Sequence, residues 1–254
     1  SYRHGVEVSF APKITVGKAG SGMHIHMMLE KEGRNMMTDG NGLSDTARRM
    51  IAGILDLSDA LTAFGNTIPT SYLRLVPHQE APTNICWGDR NRSVLVRVPL
   101  GWTGTSGMVA DANPVMKGDK WLTRDKQTVE FRAPDGSADI HSLLAGLVVA
   151  AGHGMEMENA LALATKLYVD VNIFDEKNRN RADKLEHLPA SCWESAGRLE
   201  KKRTYFEKDG IFPSEKIDHV IRMLRAYQDE SLSEKLYGKD EEIRQLVIKH
   251  IHCR

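Results

Sequence analysis

The chain has 254 residues, 41% of them hydrophobic, enough for a substantial core in one large domain or two small ones. Its 34 Lys and Arg balance 34 Asp and Glu, so a nucleic-acid partner, which selects for a basic surplus, is not expected. The cysteines (Cys86, Cys192, Cys253) lie far apart without CxxC spacing, and no signal peptide or membrane-length apolar run is visible, which together point to free thiols in a cytoplasmic protein without a membrane.

The chain opens on Ser1 and runs almost at once into a strand-like stretch, so it reads as a piece of a longer protein. Val6 to Phe10 alternates as a strand closed by Pro12, with Glu7 on its polar face. The segment Gly17 to Gly22 (GKAGSG) is a glycine-rich loop that lets a ligand approach the backbone, without the spacing of a nucleotide P-loop. Met23 to Leu29 follows as a strand, with His24 and His26 on one face and Ile25, Met27 and Leu29 on the other. His-x-His on a strand can set two imidazoles on one metal or phosphate; two histidines satisfied by their neighbours give the same pattern.

After a turn-rich stretch, Ser44 is placed to cap a helix with Ala47, Met50, Ile51, Ile54, Leu57, Leu61 and Phe64 along its apolar stripe and Gly65 as its stop. Thr70 to Pro99 then concentrates four arginines (Arg74, Arg90, Arg92, Arg97) against two acids (Glu80, Asp89), a local positive field in a neutral chain. Within it, Ser93 to Val98 alternates as a strand with Arg97 opposite Val94, Val96 and Val98. An arginine in such a strand is costly to bury unless it meets an anion. Arg90 and Arg92 precede the strand in a turn, and Glu80 is a lone carboxylate in the PHQEAP loop between two prolines. Guanidinium forks converging from loop and strand suit phosphate or carboxylate oxygens. Ordinary surface ion pairs are the plainer alternative.

Gly101 to Gln127 reads as a mobile loop or irregular hairpin, and Thr128 to Pro134 as a strand with Glu130 and Arg132 on one face, Val129 and Phe131 on the other. Residues 141 to 166 are nearly continuously apolar and are expected as a buried helix under the sheet, with Gly146, Gly152 and Gly154 allowing close approach. Residues 170 to 188 are charged and loop-like; Ala190 to Lys208, Ser214 to Asp229 and Asp240 to Ile251 show amphipathic helical patterns. The expected fold is α+β: a curved antiparallel sheet with one charged face, packed on helices, plus a helical C-terminal region. Three strands would each turn ionisable groups to the same side, as a polar active-site cleft requires. A carboxylate with an imidazole suits Mg²⁺ or Mn²⁺, and arginines beside such a cation suit phosphoryl transfer.

The motifs GSGMHIHMML, SYLRLVPHQEAP, RNRSVLVRVP and VEFRAPD, in that order, resemble those of the catalytic domain of the glutamine synthetase family. The resemblance implies a single catalytic domain over 1–254, with a sheet-and-helix core over 1–169 and a helical region over 170–254, from a longer protein whose N-terminal β-grasp domain is missing. It implies an ATP-dependent ligase forming glutamine from glutamate and ammonium through a γ-glutamyl phosphate, in stacked homo-oligomeric rings with each site between subunits. It implies His24 and Glu130 as ligands of Mg²⁺ or Mn²⁺, and His26, Arg92 and Arg97 at ATP. Gly20, Arg74, Glu80 and Arg132 would serve glutamate. Glu80 and Arg92 would be catalytic, Glu80 by closing over the site and taking a proton from ammonium. Two positions depart from the family pattern: Ala19 where Asn is usual, and Met28 where Ser is usual. Close alternatives are a γ-glutamyl ligase that uses an amine, and a non-catalytic scaffold relative; the piece alone is expected to be inactive or nearly so.

Overall fold

The computed structural model describes residues 1–15, 18–39, 42–76, 81–101, 115 and 126–253. Its site-bearing layer is a four-stranded sheet built from β1 (Ile25–Met27), β4 (Trp87–Asp89), β5 (Val96–Val98) and β6 (Val129–Phe131) in the order β1-β6-β5-β4. A separate two-stranded ribbon pairs β2 (Glu30–Lys31) with β3 (Arg34–Asn35). β6 is antiparallel to both β1 and β5, but β4 runs parallel to β5, so the sheet is mixed and not wholly antiparallel. The parallel pair arises because the chain leaves β4 through Arg90, whose φ is +52°, and crosses back before entering β5. Left-handed backbone at a non-glycine residue marks such a tight reversal.

Under the sheet lies α1 (Asp45–Gly65). Ser44 caps it as its sequence position suggests: the side chain accepts a hydrogen bond from the Ala47 amide at 3.1 Å. Burial exceeds an amphipathic stripe, since from Met50 to Gly65 every residue except Asp56 is buried. The core joins Ile51, Ile54 and Leu55 of this helix to Val96, Val129 and Phe131 of the sheet. Gly65 does not stop the helix. Asn66 does, its amide bonded to the Thr62 carbonyl and its side-chain amide donating to the Ala133 carbonyl at 2.9 Å and to Asp135 Oδ2 at 2.8 Å. Gly65 instead leaves room for Pro134, which a Cβ would approach to 3.3 Å.

The short α2 (Pro69–Arg74) starts with proline at its first turn and ends on Arg74. The apolar stretch expected as one helix is two, α3 (Ile140–Glu156) and α4 (Ala160–Lys166), set at 108° across an extended Met157. The polar run Glu156, Glu158, Asn159 offers no apolar surface to continue the buried stripe. One face of α3 is open, with Ile140, Leu144 and Val148 exposed. Its other face crosses α1 at backbone contact: a Cβ on Gly53 would lie 2.1 Å from the Ala150 carbonyl, and one on Gly154 2.1 Å from that of Arg49. Gly152, in contrast, faces open space. Gly53→Ala gains roughly 1 kcal/mol in helix propensity. The forced separation of two packed helices costs about 1–3 kcal/mol, and more if backbone must shift. The variant is therefore expected to unfold at lower urea than the parent, with an unchanged m-value.

The remaining helices are α5 (Arg179–Ala182), α6 (Cys192–Glu207), α7 (Ser214–Arg225), α8 (Leu232–Lys235) and α9 (Asp240–Lys249). The expected helices over 190–208, 214–229 and 240–251 are α6, α7 and α9. Phe64 of α1 meets Phe206 edge-on at 5.5 Å and stacks on Phe212 at 5.1 Å, so the C-terminal helices share the core of the sheet layer. No single helix among the described residues is long and apolar enough to cross a membrane. Val6 to Phe10 forms no strand and pairs with none of the described strands, and Val6, Val8 and Phe10 are exposed. Alternation alone cannot make a strand when the fold places no partner beside it. The three cysteines are free thiols.

Candidate active site

The sheet register sets three ionisable side chains in one row. His26 of β1 stands opposite Glu130 of β6, and Glu130 opposite Arg97 of β5. Cross-strand partners share a face, so all three point to the same side, while Ile25, Met27, Val96, Val98, Val129 and Phe131 turn to the core. His24 and Arg132, each two residues from a row member, add to the same face.

Glu130 is the centre of the cluster and is fully buried. Its Oε1 lies 2.6 Å from His24 Nδ1 and 3.4 Å from Arg132 Nε; its Oε2 lies 2.5 Å from a terminal nitrogen of Arg97 and 3.8 Å from His26 Nε2. Burial opposes ionisation of the carboxyl, but the close His24 imidazole and the Arg97 and Arg132 guanidiniums outweigh it and hold the group at about 2. Both carboxylate oxygens lack an aligned hydrogen-bond partner, as do Nε of Arg97 and of Arg132. Lone pairs are therefore left over on this buried anion. His26 is also anchored, its Nδ1 3.1 Å from Thr128 Oγ1.

Beside this cluster opens a cavity of about 190 Å³, bounded by Gly20, Gly22, His24, Arg74 and Arg132 with the Ala81–Pro82 turn. It is smaller than the ~300 Å³ at which drug-sized ligand sites begin and suits a small polar molecule. Arg74, buried at the end of α2, donates to the carbonyls of Ala133 (2.7 Å) and Arg132 (3.2 Å), tying α2 to the strand end that follows Glu130. Burial lowers its pKa, and the nearby Asp135 carboxylate works the other way. Arg132 donates to the carbonyls of Arg92 and Val94, bracing β6 against the entry to β5. Arg92 itself turns its side chain to solvent beside this brace.

Thus His24, His26, Arg97, Glu130 and Arg132 meet in one cluster, and Gly20 and Arg74 line the adjoining cavity. Arg92 joins them by its backbone carbonyl and by the charge of its guanidinium, which acts on Arg132, and Glu80 lies outside the described residues, as does most of the stretch 101–127. Two residues not singled out from sequence belong to the site. Gly22 is forced by Arg74, whose guanidinium would lie 2.4 Å from a Cβ there. Asp135, fully buried, faces Arg74 while binding Asn66 and Ser137. The sequence signal for Gly22 is its place in the glycine-rich loop and in the motif GSGMHIHMML, and for Asp135 its place in VEFRAPD.

The model of the glutamine synthetase catalytic domain matches residues 1–238. The chain belongs to this family. A glutamine synthetase of Thermococcus kodakarensis is 35% identical over 226 residues, covering 88% of this chain and 45% of that protein. One of Pyrococcus furiosus is 34% identical over 238 residues, covering 93% of this chain and 48% of its own length. The chain therefore spans about half the length of the curated relatives it matches. In fold it superposes on a cryo-electron-microscopy structure of Plasmodium falciparum glutamine synthetase with a TM-score of 0.63 at 22% identity, covering 89% of this chain and 47% of that one.

The donor chemistry of the cluster fits a divalent cation in part. Glu130 presents two oxygens without aligned hydrogen bonds, and His24 a ring nitrogen beside one of them. Oxygen with imidazole nitrogen suits Mg²⁺ or Mn²⁺. Among the described residues, however, no group of three or more His, Cys, Asp or Glu side chains forms a metal site. Among the described residues the cluster thus offers two candidate donors, where such a cation takes about six.

Proposed function

We propose that this chain is the catalytic half of an ATP-dependent glutamate–ammonia ligase, a single domain whose C-terminal helical region (170–254) packs onto the sheet-and-helix core (1–169). The supporting observation is the buried Glu130 carboxylate meeting an imidazole and two guanidiniums from three strands beside an arginine-lined cavity of amino-acid size. In this reading His26 and Arg97 hold the phosphates of ATP, and His24 and Glu130 hold Mg²⁺ or Mn²⁺. When bound, the cation neutralises phosphate charge.

Arg74 and Arg132 orient glutamate over the open backbone of Gly20 and Gly22. A γ-carboxylate oxygen of glutamate attacks the terminal phosphorus of ATP, ADP leaves, and Arg92 steadies the charge on the transferring phosphoryl group. Ammonia then attacks the γ-carbonyl carbon of the acyl phosphate and inorganic phosphate departs. Glu80 takes the proton from ammonium and covers the site, because water would hydrolyse the intermediate. The remaining metal ligands come from a carboxylate strand upstream in the full-length polypeptide, and the N-terminal domain of a neighbouring subunit in a ring assembly closes the site, so this chain alone turns over little or nothing.

The test is phosphate release by the full-length polypeptide with ATP and glutamate, with ammonium or a primary amine as acceptor. Release that depends on ammonium is expected. Release with the amine and not with ammonium would replace this reading by a γ-glutamyl-amine ligase, and no release with either would return the chain to a scaffold role.

A further inference from the structure

One buried cation near the cavity has no part in the reaction above. Lys13 is 1% exposed, although lysine is among the residues least often covered. Its ammonium donates to the backbone carbonyl of Lys18 across the base of the glycine loop. The adjoining Pro12 carbonyl accepts the Ser21 amide at 2.9 Å. Two bonds thus fasten the loop to the Pro12–Lys13 stretch on either side of Gly20. The fastening is tight: a Cβ on Gly20 would lie 2.4 Å from the Pro12 carbonyl and 3.0 Å from Cγ of Arg74. A Cβ on Gly22 would lie 2.4 Å from the Arg74 guanidinium. The loop is thereby pressed onto Arg74 as the wall of the 190 Å³ cavity.

We propose that Lys13 is a positioning residue: by holding the Lys18 carbonyl it seats Gly20 and Gly22 against Arg74 and so sets the affinity of the cavity for a carboxylate substrate. It touches no ligand itself, since the cavity wall stands between. Burial and the Arg74 guanidinium lower the Lys13 pKa, and Arg132 in turn acts on Arg74. Asp135 and Glu130 offset part of the charge of Arg74 and Arg132, so the seating of the loop and not the net field carries the effect. A loop that is already in place spares the ligand the ordering it would otherwise have to impose.

The inference rests on the glutamate reading of the cavity, so its test has two independent readouts. Lys13→Met keeps the length and covers the site with an apolar chain, and Lys13→Arg keeps a donor. Hydrogen exchange of the amides of residues 18–22 is expected to quicken at least about tenfold in Lys13→Met, with exchange in α1 unchanged, and to be restored in large part by Lys13→Arg. In the full-length enzyme, Lys13→Met is expected to raise KM for glutamate roughly tenfold while kcat and KM for ATP stay within about twofold. Loop exchange equal to the parent's, or a loosened loop with KM for glutamate unmoved, overturns the assignment. If the parent enzyme shows no glutamate-dependent turnover, the ligase reading falls, and the exchange readout still decides whether Lys13 holds the loop.

Discussion

Glu130→Ala is expected to lower the unfolding free energy by about 3 kcal/mol, at the lower end of the ~3–5 kcal/mol seen when one partner of a buried ionic cluster is removed. The loss comes less from the missing attraction than from what stays behind. Arg97 and Arg132 would face each other across the sheet with no anion between them, and His24 would lose its closest contact. The lower end applies because the side chains of His24 and Arg97 keep 37% and 23% exposure, so water screens part of the repulsion. Glu130→Gln keeps the volume and an acceptor and should lose less. Urea unfolding of the three proteins at neutral pH checks the order Glu, Gln, Ala. An Ala variant as stable as the parent would mean that the guanidiniums need no buried counter-charge. The dependence on pH has a definite sign. The folded carboxyl titrates at about 2 and the ordinary value is 4.5, so its contribution is complete above about 4.5 and is lost as pH falls toward 2.

Arg92→Ala is expected to do the reverse, sparing the fold and slowing the reaction. The side chain is exposed, and its structural contribution is the backbone carbonyl that accepts the Arg132 guanidinium, which alanine supplies equally well. Stability should therefore move by no more than about 0.5 kcal/mol. In the full-length ligase proposed above, turnover should fall by roughly 10²–10³, the effect of removing one preorganised charge donor from a developing anion. KM for glutamate should change little, because Arg92 does not line the glutamate cavity. Stopped-flow or steady-state phosphate release separates the two parameters. A parent-like kcat would take Arg92 out of the phosphoryl-transfer step.

The alternation of apolar and ionisable residues made the charged face of the sheet legible before any coordinates. Arg97 and Glu130 with Arg132 lie opposite buried valine or phenylalanine, and His24 and His26 opposite Ile25 and Met27, which pack against the core; a period of two leaves only one way to place them. The cap at Ser44 was legible for a similar reason, since a hydroxyl three residues before a free helix amide has a local role. What sequence could not supply was anything decided by partners distant in the chain. Val6 to Phe10 has the alternation of a strand and pairs with none of the described strands. Trp87 to Asp89 lacks alternation and is a strand because β5 lies alongside it. The 141–166 stretch hid its break because both helices bury apolar surface against α1. Lys13 was passed over because a single lysine after a proline gives no hint that it will be covered.

The row His26, Glu130, Arg97 also says where this domain cannot change length. An insertion or deletion of one residue within 25–27, 96–98 or 129–131 would swing that strand's charged side chain through the sheet into the valine and phenylalanine layer and bring an apolar one out in its place.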